Sequence, residues 1–289
     1  MILFHLLVVV PALRIAVFGD AQFDRGVRSV LRGRDPSFLL DSTRSIRDGA
    51  DVSIVNLESP LCEASTAPAA KGGIRLRSDP AAAVSLARSG FSVATLANNH
   101  VLDRQAAGLS ATLRALDQAG VRSVGADTAG RPCRPLVVGK GPDSVAIFAW
   151  TPLGGIDARK VCTDADRVLS GIRDSKARRI PSLVVTHWGI EGSPLASASQ
   201  TAAAARFARA GALAVVGHHA HVVQSDGGSI PSAVGGMPVW HGIGNYVFDQ
   251  WDPWSRPALA VVLEISGQEL ISHRTVELVR DGPRVRIKR

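Results

Sequence analysis

"GHHAHVVQ", residues 217–224, follows the apolar run "ALAVV" at 212–216 and places three histidines within four positions. A short run rich in Val and Ala is typical of a strand buried on both faces. Alternate side chains of an extended segment share a face, so His219 and His221 are predicted to point together and His218 away from them. The pair would give one imidazole to each of two adjacent metal ions at the end of a buried strand.

Four other apolar runs also end in polar residues. They are "RIAVFGD" with Asp20, "DVSIVNLE" with Asn56 and Glu58, "FSVATLANNH" with Asn98, Asn99 and His100, and "SLVVTHWGIE" with His187 and Glu191. Ligands of layered α/β folds bind outside the carboxyl ends of the strands. Five such endings in one chain therefore predict a shared site.

The donor types at these endings are carboxylate, amide oxygen and imidazole, with no cysteine among them. This set suits Mn²⁺, Fe²⁺, Zn²⁺ or Mg²⁺. Two such ions about 3.5–4 Å apart can activate water near neutral pH and hold both the attacking and the leaving oxygen. Taken singly, Gly19-Asp20 is typical of a turn and Asn98-Asn99 of a left-handed turn, and His187 beside Trp188 is compatible with a core histidine. Their common placement favours a metal site.

The remaining pattern predicts one α/β domain over residues 1–289, with mixed sheets layered between helices. The clearest helix is "SDPAAAVSLARSG", with Asp79 as N-cap, Pro80 in the first helical position and Gly90 as the stop. "GLSATLRALDQAG" repeats that plan and ends at Gly120. Further strands are predicted at "SVAIFA", "MPVW", "ALAVVLEI" and "ISHRTVELV", the last two in a more open sheet. The segments 62–73 and 225–236 are predicted to be active-site loops.

The ordered series of motifs resembles the CapA family of poly-γ-glutamate capsule biosynthesis proteins. The motifs that carry the resemblance are "GD" at 19, "NLESPL", "IRLRSDP", "LANNHVLD", "HWGIE", "GHHAHVVQ" and "HGIGNYVFDQ". The resemblance implies the calcineurin-like metallophosphoesterase fold, a layered α-β-β-α sandwich of mixed sheets. It covers nearly the whole chain.

Position by position, the resemblance also implies roles for individual residues. The implied metal ligands are Asp20, Glu58 as the bridging acid, Asn99, His187, His219 and His221. His100 would stabilise or protonate the leaving oxygen, with Asp103 orienting its ring. Residues implied for substrate contacts or for support of the ligands are Asn56, Arg77, Glu191, Asn245, Asp249 and Gln250.

Two departures from the wider superfamily bear on activity. Hydrolytic metallophosphoesterases generally open with Asp-x-His, but here Ala21 and Gln22 follow Asp20, so the first ion lacks an imidazole. The segment "HVLDRQAAGL" also lacks the glycine that usually follows two residues after the aspartate. We therefore expect the fold of the superfamily, but the two departures do not predict its usual rate of phosphoester hydrolysis.

The amino-acid composition indicates which kinds of molecule the protein is expected to bind. Lys and Arg number 33 against 25 Asp and Glu, giving a net charge of +8 and a pI near 10.2, which favours an anionic small-molecule or polymer substrate. The basic stretches "DSKARRI" and "PRVRIKR" have no interleaved aromatics and match no nucleic-acid module, so we expect a solvated basic face and no nucleic acid. Nucleotide-binding glycine motifs and the G-x-S-x-G elbow are absent from the sequence.

The N-terminal segment and the cysteines bear on location. "MILFHLLVVVPAL" is shorter than the roughly 20 apolar residues of a membrane span. It resembles a signal peptide without the preceding positive charge. Alternatively, it extends or covers the first strand, and a cytoplasmic location is favoured over a secreted or membrane-associated one. Three distant cysteines, Cys62, Cys133 and Cys162, argue against a disulfide framework, and Cys62 is expected to be a small buried apolar residue.

Three functions follow as expectations. The first is a metal-dependent hydrolase or transferase of the CapA type, acting on a phosphorylated or polycarboxylate, polyglutamate-like substrate. The second is a non-catalytic accessory protein of capsule polymer synthesis or export, which binds the polymer without cleaving it. The third is an enzyme recruited for amide-bond formation or cleavage in a small-molecule pathway.

Overall fold

Two mixed β-sheets pack face to face at the centre of the molecule. The computed structural model describes residues 12–69, 73–140 and 143–289. The apolar N-terminal segment predicted at 1–12 therefore lies outside the described residues except for its last position. Residues 70–72 of the predicted loop 62–73 also lie outside them.

The larger sheet has eight strands. They are Leu13–Ala21 (β1), Val52–Leu57 (β2), Val93–Thr95 (β3), Arg122–Val124 (β4), Asn245–Val247 (β13), Pro257–Ser266 (β14), Glu269–Asp281 (β15) and Arg284–Ile287 (β16). Their order is β16-β15-β14-β1-β2-β3-β4, with β13 also pairing with β1. The run from β1 to β4 is parallel, so the carboxyl ends of these strands lie along one edge.

The smaller sheet has six strands. They are Leu136–Lys140 (β5), Asp143–Trp150 (β6), Ser182–Trp188 (β7), Ala212–His219 (β8), Ser232–Val234 (β10) and Met237–Trp240 (β11). Strands β6, β7, β8 and β11 run parallel to one another. Val223–Gln224 (β9) and Gly242–Ile243 (β12) pair with each other in a separate two-stranded ribbon. The predicted loop 225–236 contains β10.

Seven α-helices accompany the sheets in the described chain. They are Arg25–Leu31 (α1), Ser37–Leu40 (α2), Arg44–Asp48 (α3), Ala81–Arg88 (α4), Gln105–Gln118 (α5), Ala165–Ala177 (α6) and Ala198–Ala210 (α7). Short 3₁₀ turns lie at Asp41–Thr43 and Pro253–Ser255. Apolar residues of α1, α2, α4 and α5 join the core of the larger sheet, while those of α6 and α7 pack on the outer face of the smaller one. The layers are therefore α-β-β-α, as predicted.

Strand β6 shows how the smaller sheet serves two cores. Val145 and Ile147 belong to the cluster between the sheets, whereas Ala146 and Phe148 pack with the outer helices. Because side chains alternate along a strand, a continuous apolar run is needed to fill both cores. Each predicted strand overlaps an observed strand, although the run "FSVATLA" contributes only Val93–Thr95 to β3. Strand β14, predicted as part of a more open sheet, is instead mostly buried because it pairs with central β1.

The two predicted helices are confirmed with small shifts. Helix α4 begins at Ala81 rather than Pro80, and the Asp79 side chain accepts a hydrogen bond from the Ala81 N–H at 2.9 Å. Gly90 follows the helix with a φ of +89°, and Gly120 follows α5 with +77°. Both glycines provide the left-handed conformation that ends a helix.

One expectation is wrong: Cys133 and Cys162 form a disulfide. Their Cα atoms lie 4.7 Å apart although 29 positions separate them in sequence. An isolated bridge between Ala126 and Val161 brings the two segments together, which spacing alone does not reveal. Closing a loop of this length typically stabilises a fold by about 3 kcal/mol. Cys62 is buried with a free thiol, as expected.

Within residues 12–69, 73–140 and 143–289, no helix is both long and apolar enough to cross a bilayer.

Candidate metal centre

The strand ends named by the sequence meet where the two sheets face each other. In the larger sheet Asp20 at the end of β1 lies opposite Asn56 of β2. In the smaller sheet Trp188, next to His187, lies opposite His219 of β8. The His218 ring lies between the sheets, with Nδ1 3.1 Å from the Thr186 carbonyl oxygen and Nε2 3.1 Å from that of Phe18. His218 thus joins the sheets and points away from the predicted ligands.

Two glycines allow a third segment to enter between these strand ends. A Cβ at Gly19 would collide with the Gly244 carbonyl oxygen, and a Cβ at Gly217 would collide with that of His241. The segment 241–245 can therefore approach both strands closely. Its position brings Asn245 beside His221.

The geometric reason given for His219 and His221 is wrong, although both rings reach the same cluster. Strand β8 ends at His219, and the two residues have φ values of +85° and +58° rather than those of an extended segment. The chain turns at this point. Left-handed conformations in residues other than glycine cost energy and concentrate at functional sites.

Glu58 lies at the centre of the cluster. One group of donor atoms, all within 4.8 Å of one another, comes from Asp20, Glu58 and His221, and a second comes from Glu58, His187 and His219. Glu58 is common to both groups. A carboxylate shared by two adjacent donor sets is the arrangement that a bridging ligand of two ions requires.

Asn99 extends the second group. Its Oδ1 lies 2.8 Å from His187 Nε2, and that nitrogen lies 3.4 Å from Glu58 Oε1. The structure thus brings together all six side chains that the sequence predicted as ligands.

The carboxylates at the centre differ in their electrostatics. Burial, reinforced by the charge of Asp20, raises the pKa of Glu58 to about 8. For Asp20, burial also opposes ionisation, but a hydrogen bond with His221 and the charges of nearby imidazoles outweigh it and hold the pKa below its usual range. Negative charge is therefore poorly compensated at Glu58 but well compensated at Asp20.

The pKa values of the three imidazoles also differ. Burial and the charges of neighbouring histidines lower the pKa of His219 to about 3, and burial places the pKa of His187 well below its ordinary value. Burial opposes protonation of His221 as well, but Glu58 and Asp20 raise its pKa to about 9. Two of the three rings are therefore neutral, the state in which imidazole binds metals.

Unpartnered atoms show that this cluster suits a cation. In the described chain both carboxylate oxygens of Glu58 and Nδ1 of His219 are buried without a hydrogen-bond partner. Burying a carboxylate without partners is costly, and a divalent cation would compensate it. The donor set of carboxylate, amide oxygen and imidazole suits the same kind of ion. The residues therefore fit a divalent metal.

His100 lies at the margin of this cluster with 14% of its side chain exposed. Its Nε2 is 4.0 Å from Glu58 Oε1, and its Nδ1 donates to Asp103 Oδ2 at 2.7 Å. Burial opposes a charge on the ring, but the hydrogen bond with Asp103 and the charge of Glu58 raise the pKa of His100. The pair has the geometry predicted for it.

Asn56 is buried behind the ligands instead of facing a substrate. Its Nδ2 donates to Asp20 Oδ1 at 2.7 Å and lies 3.1 Å from His187 Nδ1. Its Oδ1 accepts hydrogen bonds from Thr95 and Asn98. The sequence placed Asn98 in the shared cluster without a role of its own, and it gave no signal for Thr95 beyond its place beside the predicted ligands.

Asn245 is likewise fully buried, and supports His221. Its Oδ1 lies 2.8 Å from His221 Nδ1, and its Nδ2 donates to Gln250 Oε1 at 2.8 Å. Asp249 lies beside this pair and accepts from Gln22 Nε2 at 3.0 Å and from Arg25 Nε at 2.9 Å. Gln22 stands where hydrolytic members of the wider superfamily have an imidazole, and its side-chain amide is hydrogen-bonded to Asp249.

The two other predicted substrate residues lie in different surroundings. The exposed Glu191 has a carboxylate oxygen within 4.8 Å of nitrogens of His219 and His221. Arg77 donates instead to the Cys62 carbonyl oxygen at 3.1 Å, and its N–H donates to Asp24. Glu191 therefore lies next to two of the predicted metal ligands. Arg77 is instead held by the backbone of the predicted loop at Cys62.

Comparison with a solved structure identifies the class of fold. A structure described as a novel phosphatase from Mycoplasma pneumoniae matches with a TM-score of 0.55 at 15% identity, covering 94% of this chain and 95% of that one. The fold is that of the calcineurin-like metallophosphoesterases.

Within that class, the model of the family "Bacterial capsule synthesis protein PGA_cap" matches residues 14–250, and the chain belongs to this family. It is 28% identical over 258 residues to a capsule biosynthesis protein CapA of Bacillus anthracis, covering 84% of this chain and 61% of that protein. It is 25% identical over 248 residues to a PGA biosynthesis protein CapA of Bacillus subtilis (strain 168), covering 82% and 63%. The chain spans about three-fifths of the length of these relatives.

Proposed function

We propose that this protein is a metal-dependent hydrolase that cleaves a phosphate ester of an anionic substrate. The observation that supports it is the Glu58 carboxylate, buried without a hydrogen-bond partner in the described chain and shared by two sets of donor atoms. The net charge of +8 favours an anionic substrate.

The proposed cofactor is a pair of divalent ions, Mn²⁺, Fe²⁺, Zn²⁺ or Mg²⁺. Asp20, Glu58 and His221 would hold one ion, and Glu58, His187, His219 and Asn99 the other. Bound divalent ions supply Lewis acidity and lower the pKa of water. Asn56 and Asn245 would keep the ligands in place from behind, as outer hydrogen bonds to ligating groups generally do.

His100 is the proposed general acid. Its Nδ1 is held by Asp103, so Nε2 faces the cluster from the exposed side. Hydrolysis joins the oxygen of a water molecule to phosphorus and breaks the bond to the leaving oxygen, which takes the proton from His100 Nε2. The attacking water releases one proton, which makes up for the proton that His100 donates. General acids in such positions contribute roughly 10²–10⁴-fold to rate.

The first experiment compares purified wild type with the His219→Ala/His221→Ala variant. Metal content is measured by elemental mass spectrometry, and turnover is measured with a panel of phosphate monoesters and diesters after loading with each candidate ion. We expect about two equivalents of metal in wild type, with loss of both metal and turnover in the variant. His273→Ala is the matched control, since His273 is an exposed residue of β15 that contacts Trp240.

Turnover retained by the double variant would contradict the proposal. Metal binding without turnover of any ester would also contradict it. That second result would support the alternative of a non-catalytic protein that binds a polycarboxylate polymer. The engagement of Gln22 with Asp249, where hydrolytic relatives of the superfamily have a ligating imidazole, favours this alternative.

A further inference from the structure

Asp103, the partner of His100, is held from three directions. Its Oδ2 accepts from His100 Nδ1 at 2.7 Å and from the Leu76 N–H at 2.7 Å. Its Oδ1 accepts from the Arg75 guanidinium at 3.3 Å. Only 2% of the Asp103 side chain is exposed, so these contacts fix its carboxylate in a site with little water.

The Arg75 side chain is 29% exposed, whereas that of His100 is 14% exposed and the third contact is the backbone N–H of Leu76. Arg75 lies in the segment 73–78, which is separate from the 98–103 turn that carries His100 and Asp103. An ion pair with a buried carboxylate is weakly screened by solvent, so this contact is stronger than an exposed pair.

We propose that Arg75 is a positioning residue that acts on the leaving-group side of the reaction through Asp103. It holds the Asp103 carboxylate so that the carboxylate keeps His100 Nδ1 engaged and Nε2 directed at the leaving oxygen. This inference rests on the proposed function, because it assigns Arg75 to the delivery of the His100 proton.

The direction of the ring decides whether the proton can be transferred. As the bond from phosphorus to the leaving oxygen breaks, the leaving oxygen takes the His100 Nε2 proton and departs as a neutral hydroxyl. Without Arg75, the Leu76 N–H still contacts Asp103 Oδ2, but Oδ1 loses this partner and the carboxylate can rotate. A misdirected general acid costs rate without altering how the phosphoryl group is bound.

The test uses two kinds of ester that differ in their need for a proton. A 4-nitrophenyl ester leaves as a stable phenolate, whereas an alkyl phosphate leaves as an alkoxide unless it is protonated. We expect Arg75→Ala to lower kcat for alkyl phosphates by about 10–100-fold and for 4-nitrophenyl phosphate by less than about threefold, with KM little changed. Arg75→Lys, which keeps the charge but not the fork of donors, should be intermediate.

A double-mutant cycle separates this role from direct substrate binding. Because Arg75 acts through Asp103, Arg75→Ala should cause little further loss in an Asp103→Asn background. An equal rise in KM for both esters, or full additivity with Asp103→Asn, would overturn the proposal. Arg114→Ala is the control, since Arg114 is an exposed arginine of α5 that donates to Ser110.

A measurement independent of turnover keeps this inference distinct from the proposed function. The ring nitrogens of His100, assigned by comparison with His100→Gln, are observed by ¹⁵N NMR in each variant. We expect the Nδ1–H signal to shift and to exchange faster in Arg75→Ala and Asp103→Asn, but not in Arg114→Ala. An unchanged His100 signal in Arg75→Ala would overturn the inference even if esters are cleaved. Absence of ester cleavage in wild type would overturn the proposed function and with it the leaving-group role, whereas an unchanged His100 signal would overturn the positioning of the ring by Arg75.

Discussion

At the scale of single residues, Glu58 combines a cost in stability with a functional use. Its side chain is fully buried, and neither oxygen has a hydrogen-bond partner in the part of the chain that the structure describes. Burial raises the pKa of Glu58 to about 8, so the metal-free fold must either hold an uncompensated charge or take up a proton, and both destabilise it near neutral pH. Such a residue is therefore best explained by the cation that it would bind.

Glu58→Gln should separate these two effects. The amide keeps the shape of the side chain but neither carries a charge nor takes up a proton on folding, so near neutral pH we expect the metal-free variant to melt about 2–8 °C above metal-free wild type, as a gain of about 1–2 kcal/mol would produce. Addition of Mn²⁺ should stabilise wild type and leave the variant unchanged. Differential scanning fluorimetry with and without chelator measures both effects. A lower melting temperature in the metal-free variant would show that the carboxylate has a stabilising role.

His241 is a buried histidine outside the ligand cluster. Its ring stacks with Trp188, and both ring nitrogens lack a hydrogen-bond partner within the described residues. Burial lowers the pKa of His241, although Asp226 partly opposes this effect. The folded protein therefore keeps this ring neutral at a pH where the unfolded chain would protonate it.

This difference predicts a pH-dependent loss of stability. The contribution of neutral His241 is fully present above the unfolded pKa of about 6.5 and is lost as pH falls from there towards the lower folded pKa. His241→Phe removes the titrating group and keeps a ring against Trp188. In urea unfolding at pH 7.5, 6.5 and 5.5, the stability of the variant relative to wild type should increase as pH falls. A difference independent of pH would mean that His241 does not titrate between the two states.

At the scale of elements, the turn 248–256 is held by one arginine from β15. Arg280 is 1% exposed and donates to the carbonyl oxygens of Phe248, Gln250 and Ser255 and to the Ser255 hydroxyl. Gln250 in turn accepts from Asn245, which contacts His221. Strand β15 is thereby linked to the candidate metal centre through a chain of hydrogen bonds.

Arg280→Lys should loosen this turn. One ammonium cannot satisfy acceptors that a guanidinium reaches together, so we expect a loss of about 2–3 kcal/mol in the free energy of unfolding. Hydrogen exchange should rise selectively over 248–256. Arg284→Lys is the matched control, because Arg284 in neighbouring β16 is an exposed arginine that donates to the Ser42 hydroxyl and lies over the Phe38 ring. Equal exchange in both variants would show that Arg280 does not order the turn.

The same scale shows what the sequence could and could not predict. The positions of the strand ends could be predicted, because each strand needs apolar side chains to fill the cores and polar residues mark where that need ends. Asp20 and His187 each lie one residue before the end of their strand. The left-handed turns at His219 and His221 were not, since periodicity assumes an extended chain. The Cys133–Cys162 disulfide and the Arg75–Asp103 contact join segments that sequence spacing does not relate. The fold followed from local pattern, whereas the supports of the site depended on tertiary packing.

At the scale of the whole molecule, the candidate centre joins the two sheets. Asp20 and Glu58 come from β1 and the end of β2, while His187 and His219 come from β7 and β8 and His221 follows directly. Ions bound by both sets would hold the sheets together. Since these residues converge only in the folded chain, metal binding and folding are thermodynamically linked.

The dependence of the free energy of unfolding on free metal concentration gives the number of bound ions. Above saturation, each ion bound only by the folded state adds about 1.4 kcal/mol to the free energy of unfolding for every tenfold rise in free metal. Two ions therefore predict a slope of about 2.7 kcal/mol per decade, measured by urea unfolding in buffers of defined free Mn²⁺. Glu58→Gln, which removes the shared ligand, should flatten the slope, whereas His273→Ala should not. A wild-type slope near 1.4 kcal/mol would reduce the centre to a single ion, and a zero slope would contradict metal binding by the folded protein.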